Sequence, residues 1–177
     1  GSGNGAKDWN GIGNIVGGTG VSLGGIDPLG AGNSWWKSTE VNQGGAITIA
    51  SMANIYNTIS VGNDQPTIAI TTQTLYEKYE ALLTGQIRYT DTDMADGGFQ
   101  NLLFKGAPVT FDDACASGQM VFLNTKYLQL VAHSDVWFKP TPFVRPTNQD
   151  AVFSQLLCYG QLTCSNRARQ GFMHSAT

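Results

Sequence analysis

The chain has 177 residues, of which 13% are charged, and a formal net charge of -3, with a pI near 5.1. That length suits one domain or two small lobes sharing a core, and the acidic balance excludes a dedicated nucleic-acid binder, which needs clustered Lys and Arg against phosphate. No apolar run reaches the roughly 18 to 20 residues of a membrane-crossing helix, and the first residues lack a basic-then-apolar secretory pattern, so we expect a soluble, cytoplasmically made protein with no membrane partner.

Glycine opens the chain, with 12 of its 22 copies before Trp35. Such a stretch gains little burial and loses much backbone entropy on folding, so residues 1–33 are expected to form an extended or mobile arm. Trp9, Ile12, Ile15 and Val16 are its candidate anchors. From Ala46 to Ile59, apolar residues Ile49, Met52, Ala53, Tyr56 and Ile59 recur at steps of three or four, which predicts a helix with one buried face. Gly62-Asn63-Asp64 breaks the chain, and the β-branched run after Pro66 predicts a buried strand. Thr71 or Thr72 can cap a second helix with the apolar face Leu75, Tyr76, Tyr79, Leu82 and Leu83, while Thr74 to Glu77 matches a capping box one turn later. Gly85 is expected to end that helix.

A polar loop is expected from Thr90 to Gly98, then strands at Leu102 to Lys105, Val109 to Phe111, Met120 to Leu123 and Tyr127 to His133, the last with two different faces. Pro140, Pro142 and Pro146 remove three backbone donors, which keeps their segment out of a central strand and predicts a connector or an edge. Runs Ala151 to Cys158 and Gln161 to Ala168 flank Gly160 and are expected to pair as a hairpin.

Few constellations carry chemistry. Gly20 to Gly25 lacks the Lys-Ser/Thr pair of a phosphate loop, and Gly11 to Val16 lacks a third glycine and a preceding strand. Asp91, Asp93 and Asp96 fail the register of a calcium loop, because Ala95 and Leu102 stand where oxygen ligands are needed. His133 and His174 have no Cys or carboxylate at a metal-binding spacing. Cys115, Cys158 and Cys164 are an odd set that fits reduced thiols, with Cys158 and Cys164 also close enough in sequence for a cross-strand disulfide. A Cys with His133 as a nucleophile pair, in a small hydrolase or transferase, is the alternative function, because such residues meet only in space. No cofactor is expected.

Trp35 and Trp36 are candidate core and interface anchors, facing opposite ways as strand neighbours do. Arg145, Arg167 and Arg169 are read as solvated strand faces, as salt-bridge donors to a neighbouring subunit, or as a DNA-facing patch. These five residues are the candidate subunit interface.

The strings PTIAITTQTLYEKYEALL, FKGAPVTFDD, FLNTKYLQLVAHSD, FKPTPFVRPTNQD and YGQLTCSNRARQG, between Pro66 and Gly171, closely resemble the C-terminal part of the major capsid proteins of tailed double-stranded DNA phages and prophages. The resemblance runs from about Asp8 to Gly171. It implies an α+β chain with the Hong Kong ninety-seven type capsid fold: a Gly-rich arm at 1–33, an axial-domain lobe at 34–119 and a β-rich return into the peripheral domain at 120–177. It also implies that the family's N-arm, extended loop and spine helix precede this sequence. The function implied is mechanical, a virion shell of hexamers and pentamers made from copies of the chain around DNA held only non-specifically, with scaffold or portal proteins as further partners. A monomeric phage tail or decoration module is a third alternative.

Overall fold

The computed structural model describes residues 9–17, 20–83 and 102–177. The expected helix end at Gly85 and the loop at 90–98 lie outside the described residues. The elements run α1 (Ile12–Val16), β1 (Thr39–Gly45), α2 (Ile49–Ile59), β2 (Ile68–Thr71), α3 (Gln73–Leu82), β3 (Leu102–Phe104), β4 (Ala107–Phe111), β5 (Met120–Leu123), β6 (Leu128–Ala132), β7 (Lys139–Pro140), β8 (Leu156–Leu157), β9 (Gly160–Cys164) and β10 (Gly171–Ala176).

Six strands form one sheet in the order β1-β10-β5-β2-β4-β3. Strand β2 runs parallel to β4 and antiparallel to β5, while β10 is antiparallel to β5 and parallel to β1. Period-two alternation divides the side chains between two faces. Ala69, Met120, Phe122, Val109 and Met173 point into the main core, whereas Ile70, Val121, Leu123 and Phe172 point to the other side. Helices α2 and α3 cover the first face with Met52, Ile55, Tyr56, Ile59, Leu75 and Tyr79. Val16 of α1 and Leu128 pack on the second.

Local chemistry fixes these elements. Thr48 caps α2 by accepting from the Ser51 amide at 3.1 Å, and Ser51 Oγ accepts from the Thr48 amide at 3.2 Å, a reciprocal capping box. Thr72 is the N-cap of α3, while Thr71 is buried in β2 and donates to the Gln119 carbonyl at 3.0 Å. The expected box from Thr74 to Glu77 does not form: the helix has already begun at Gln73, whose side-chain amide donates to Glu77 Oε1 at 2.9 Å. Strands β3 and β4 close through Lys105-Gly106, with φ of 50° and 87°, the two left-handed residues that a type I′ turn requires.

Three expectations are corrected. Gly160 is no turn: it begins β9, which pairs with β6, while β8 pairs with β7. The segments on either side of Gly160 therefore lie end to end in one strand of a ribbon. The boundary at 119/120 does not divide the sheet, because β5 and β10 pair with each other and β5 with β2. Trp35 and Trp36 sit in a single 3-10 turn, Ser34–Trp36, rather than a strand.

Candidate assembly surface

After β5, Asn124 Oδ1 accepts from the Lys126 amide at 3.2 Å and starts a short 3-10 turn that swings the chain away from the sheet. Strands β6 and β9 then pair from Leu128↔Cys164 to Ala132↔Gly160, β7 and β8 pair beyond them, and Val144 bridges Phe153 nearest the tip. These pairs make one two-stranded ribbon. The shorter strand, twelve residues from Phe153 to Cys164, limits its reach to about 40 Å. The prolines belong here for the expected reason: a two-stranded ribbon leaves each strand an open edge, where a missing amide is tolerated.

Cross-strand partners share a face, and so do alternate residues along each strand. Pro140 and Leu156 therefore share a face, and so do Val144 and Phe153 at their bridge, where the register has shifted by one residue. All four are exposed, Leu156 by 63%, and Phe143 beside them is 79% exposed. Between Leu128 and Asn166 no residue is buried. A lone two-stranded ribbon is at best marginally stable in water. A row of exposed apolar side chains on such a ribbon marks a surface built to be covered.

The sequence-predicted interface residues divide. Trp35, Trp36 and Arg169 line one shallow groove together with Ser165, Asn166 and Ala168. Trp35 is 59% exposed there and remains available to a partner. Trp36 is turned inward against Ile15 and Leu23, and its indole N–H donates to the Leu23 carbonyl at 3.2 Å. Arg169 donates to the Ile59 carbonyl at 3.4 Å, at the C-terminal end of α2, where a cation complements the helix dipole. Arg145 is exposed at the ribbon tip, away from that groove.

Arg167 overturns its expectation as a solvated or subunit-pairing residue, because it is 0% exposed. Its guanidinium donates to the carbonyls of Ile15 and Val21 at 2.6 Å each, to Asn14 at 3.4 Å and to Gly17. Burial pushes its pKa down, partly offset by the neighbouring Cys164 thiol. The planar fork thus gathers the backbone of the Gly-rich arm. Sequence offered one signal for this, a glycine-rich segment whose carbonyls are unobstructed, but not the identity of the donor.

Two of the three thiols of the enzyme alternative are set in surroundings that disfavour a nucleophile. Burial pushes the Cys115 and Cys164 thiols up, away from the thiolate that a nucleophile needs, and Cys115 Sγ faces the Gln119 carbonyl at 3.6 Å. His133 Nδ1 accepts from the Asp135 amide at 3.2 Å. All three cysteines are free, so the Cys158–Cys164 disulfide is not made. Asp64 accepts from the Tyr127 hydroxyl and from Asn124 Nδ2 and lies 3.8 Å from Lys126 Nζ. Those hydrogen bonds, Tyr127's first, hold its carboxyl below the usual range. The cluster ties the turn after α2 to the root of the ribbon.

No protein-family model and no curated protein sequence matches this chain. Among solved structures, it is similar to the capsid asymmetric unit of cyanophage A-1(L), at 17% identity and a TM-score of 0.61, over 94% of this chain and 56% of that one. It is also similar to the holo-SrpI encapsulin complex of Synechococcus elongatus PCC 7942, at 12% identity and a TM-score of 0.58, over 78% of this chain and 52% of that one. The chain therefore spans about half the length of each. The fold is α+β and of the Hong Kong ninety-seven capsid type.

Proposed function

We propose that this chain is part of a major capsid protein, whose copies join as hexamers and pentamers into the icosahedral head of a tailed phage or prophage around double-stranded DNA. The six-stranded sheet with α2 and α3 serves as the axial part, and the ribbon as the peripheral part that reaches a neighbouring copy. The observation that carries this is the ribbon: an element with no buried residue between Leu128 and Asn166 and with exposed apolar side chains along its outer half, on a fold found in two shells. Head-to-tail contacts of this kind close into rings when the rotation between copies allows it. Trp35 and Arg145 are the sequence-predicted residues left free to take part, and no catalytic step or cofactor is required. The site of action is the virion capsid after synthesis in the host cytoplasm, with scaffold and portal proteins as further partners.

The test is to express the protein at its full natural length and image it by cryo-electron microscopy. Closed particles with five- and six-fold capsomers and nucleic acid inside are expected in the phage context. Closed particles that never carry nucleic acid would contradict the phage head, and a protein that stays monomeric at all concentrations would contradict the shell.

A further inference from the structure

We propose that residues 133–138 are a hinge in the ribbon, and that Trp9 of the Gly-rich arm is the brace that sets the angle of the ribbon's outer half. Between the pairs Ala132↔Gly160 and Lys139↔Leu157, one strand carries six residues and the other only two. Such an excess bends a strand and interrupts its ladder. The His133 amide donates to the Tyr159 carbonyl and the Tyr159 amide to the Val136 carbonyl, both at 2.9 Å, and between these bonds the chain makes a turn closed by the Val136 amide on the His133 carbonyl at 3.4 Å. Trp137 and Phe138 follow, with Phe138 at φ 49°, a conformation that bulky residues avoid unless their surroundings enforce it.

What enforces it comes from the arm. The Trp137 ring stacks on Trp9 at 5.7 Å and 15°, and Phe138 sits edge-on to Trp137 at 5.1 Å. Both indoles lie over Gly160: a Cβ there would stand 3.0 Å from Trp137 Cζ3 and from the Val131 carbonyl oxygen, and 3.3 Å from Trp9 Cζ2. Next to the stack, the Asn10 amide donates to Gln161 Oε1 at 2.6 Å. Farther along the arm, Ile15 and Val16 are buried and Arg167 grips the backbone. A continuous mechanical path thus runs from the core through the arm and Trp9 to Trp137 and the outer ribbon. Releasing Trp9 frees the hinge without touching the six-stranded sheet, and the ribbon's angle sets where its exposed apolar side chains point. The brace is a property of the single chain and stands whether or not those side chains meet another copy.

Spin labels at Asn148 on the tip and Asn54 on α2, in a variant with Cys115, Cys158 and Cys164 replaced by Ser, report the angle by double electron–electron resonance. The unaltered arm is expected to give one narrow distance. Trp9→Ala should broaden that distribution by about two-fold or more, as a joint freed from its tertiary contacts samples more orientations, with the circular dichroism of the sheet unchanged. Trp137→Ala, which removes the other half of the stack, should broaden it in the same sense and serves if Trp9→Ala does not fold. A distribution that is already broad with Trp9 in place, or one that stays narrow when the stack is disturbed, overturns the proposal.

Discussion

Arg167→Ala should detach the arm while leaving the sheet folded. The substitution removes the donor to four carbonyls, those of Ile15, Val21, Asn14 and Gly17. A hydrogen bond to a charged group contributes about 1.5–3 kcal/mol and such contributions are not additive within one network. Water reaches the freed carbonyls only once the arm loosens, and the arm then also loses the burial of Ile15 and Val16, worth about 1.5–3 kcal/mol each. Unlatching is therefore limited by the smaller of two costs, and we expect a loss of about 3–5 kcal/mol in the docking of the arm. Arg167→Lys keeps the charge but not the planar fork, and should recover less than half of it. Urea unfolding combined with amide hydrogen exchange checks this. Protection should disappear at Asn14 and Ile15, whose amides bond to the Gly11 carbonyl, and at the Leu23–Ile26 bridge, while α2 keeps its protection. An Arg167→Ala protein within about 1 kcal/mol of the original, with the arm still protected, would refute the clasp.

Further outcomes follow from the titrating groups. Burial, reinforced by the neighbouring Tyr76, pushes Tyr79 up from 10.0 to about 12; the unfolded chain ionises first, so stability is full below pH 10 and falls as pH rises towards 12, a slope that Tyr79→Phe should flatten in thermal melts. Asp64 has the opposite sign: its lowered pKa stabilises above the unfolded value and the contribution is lost as pH falls through the folded one, so Asp64→Asn should remove part of the acid sensitivity below about pH 4. Alkylation at neutral pH should be slower at Cys115 and Cys164 than at a free cysteine, because both thiols are pushed up; one hyper-reactive thiol by mass spectrometry would return the enzyme alternative.

The elements legible in sequence are those whose own residues carry the pattern. The α2 face at Ile49, Met52, Tyr56 and Ile59 and the run Met120–Leu123 needed no partner to be recognised. Strands β1 and β10 escaped because TEVNQGG and GFMHSA hold few β-branched or alternating apolar residues; β10 is a strand because β5 and β1 supply its ladders, and β1 because β10 supplies its own. The ribbon was half legible. Its strands were seen but mispaired around Gly160, because glycine is read as a turn when its actual cause, the Trp137 and Trp9 indoles and the Val131 carbonyl against its face, lies 23, 151 and 29 residues away. Arg167 was missed in kind: nothing local distinguishes it from Arg169, and only the fold brings the arm's carbonyls to it. The capsid-type fold itself was legible through long ordered strings rather than any single motif.

The central claim is that the exposed apolar side chains on the outer half of the ribbon contact another copy of the chain. Half-exposed Val144, Phe153 and Leu156 stand to contribute about 3 kcal/mol per contact when covered, roughly half of their full burial, which is about two decades in affinity. The most direct measurement is the concentration at which particles form, by light scattering, for the original protein and for Val144→Asp/Leu156→Asp. We predict closed particles for the former and, for the variant, a threshold raised by about 100-fold or more with an unchanged unfolding transition. A variant that assembles at the original concentration would contradict the account.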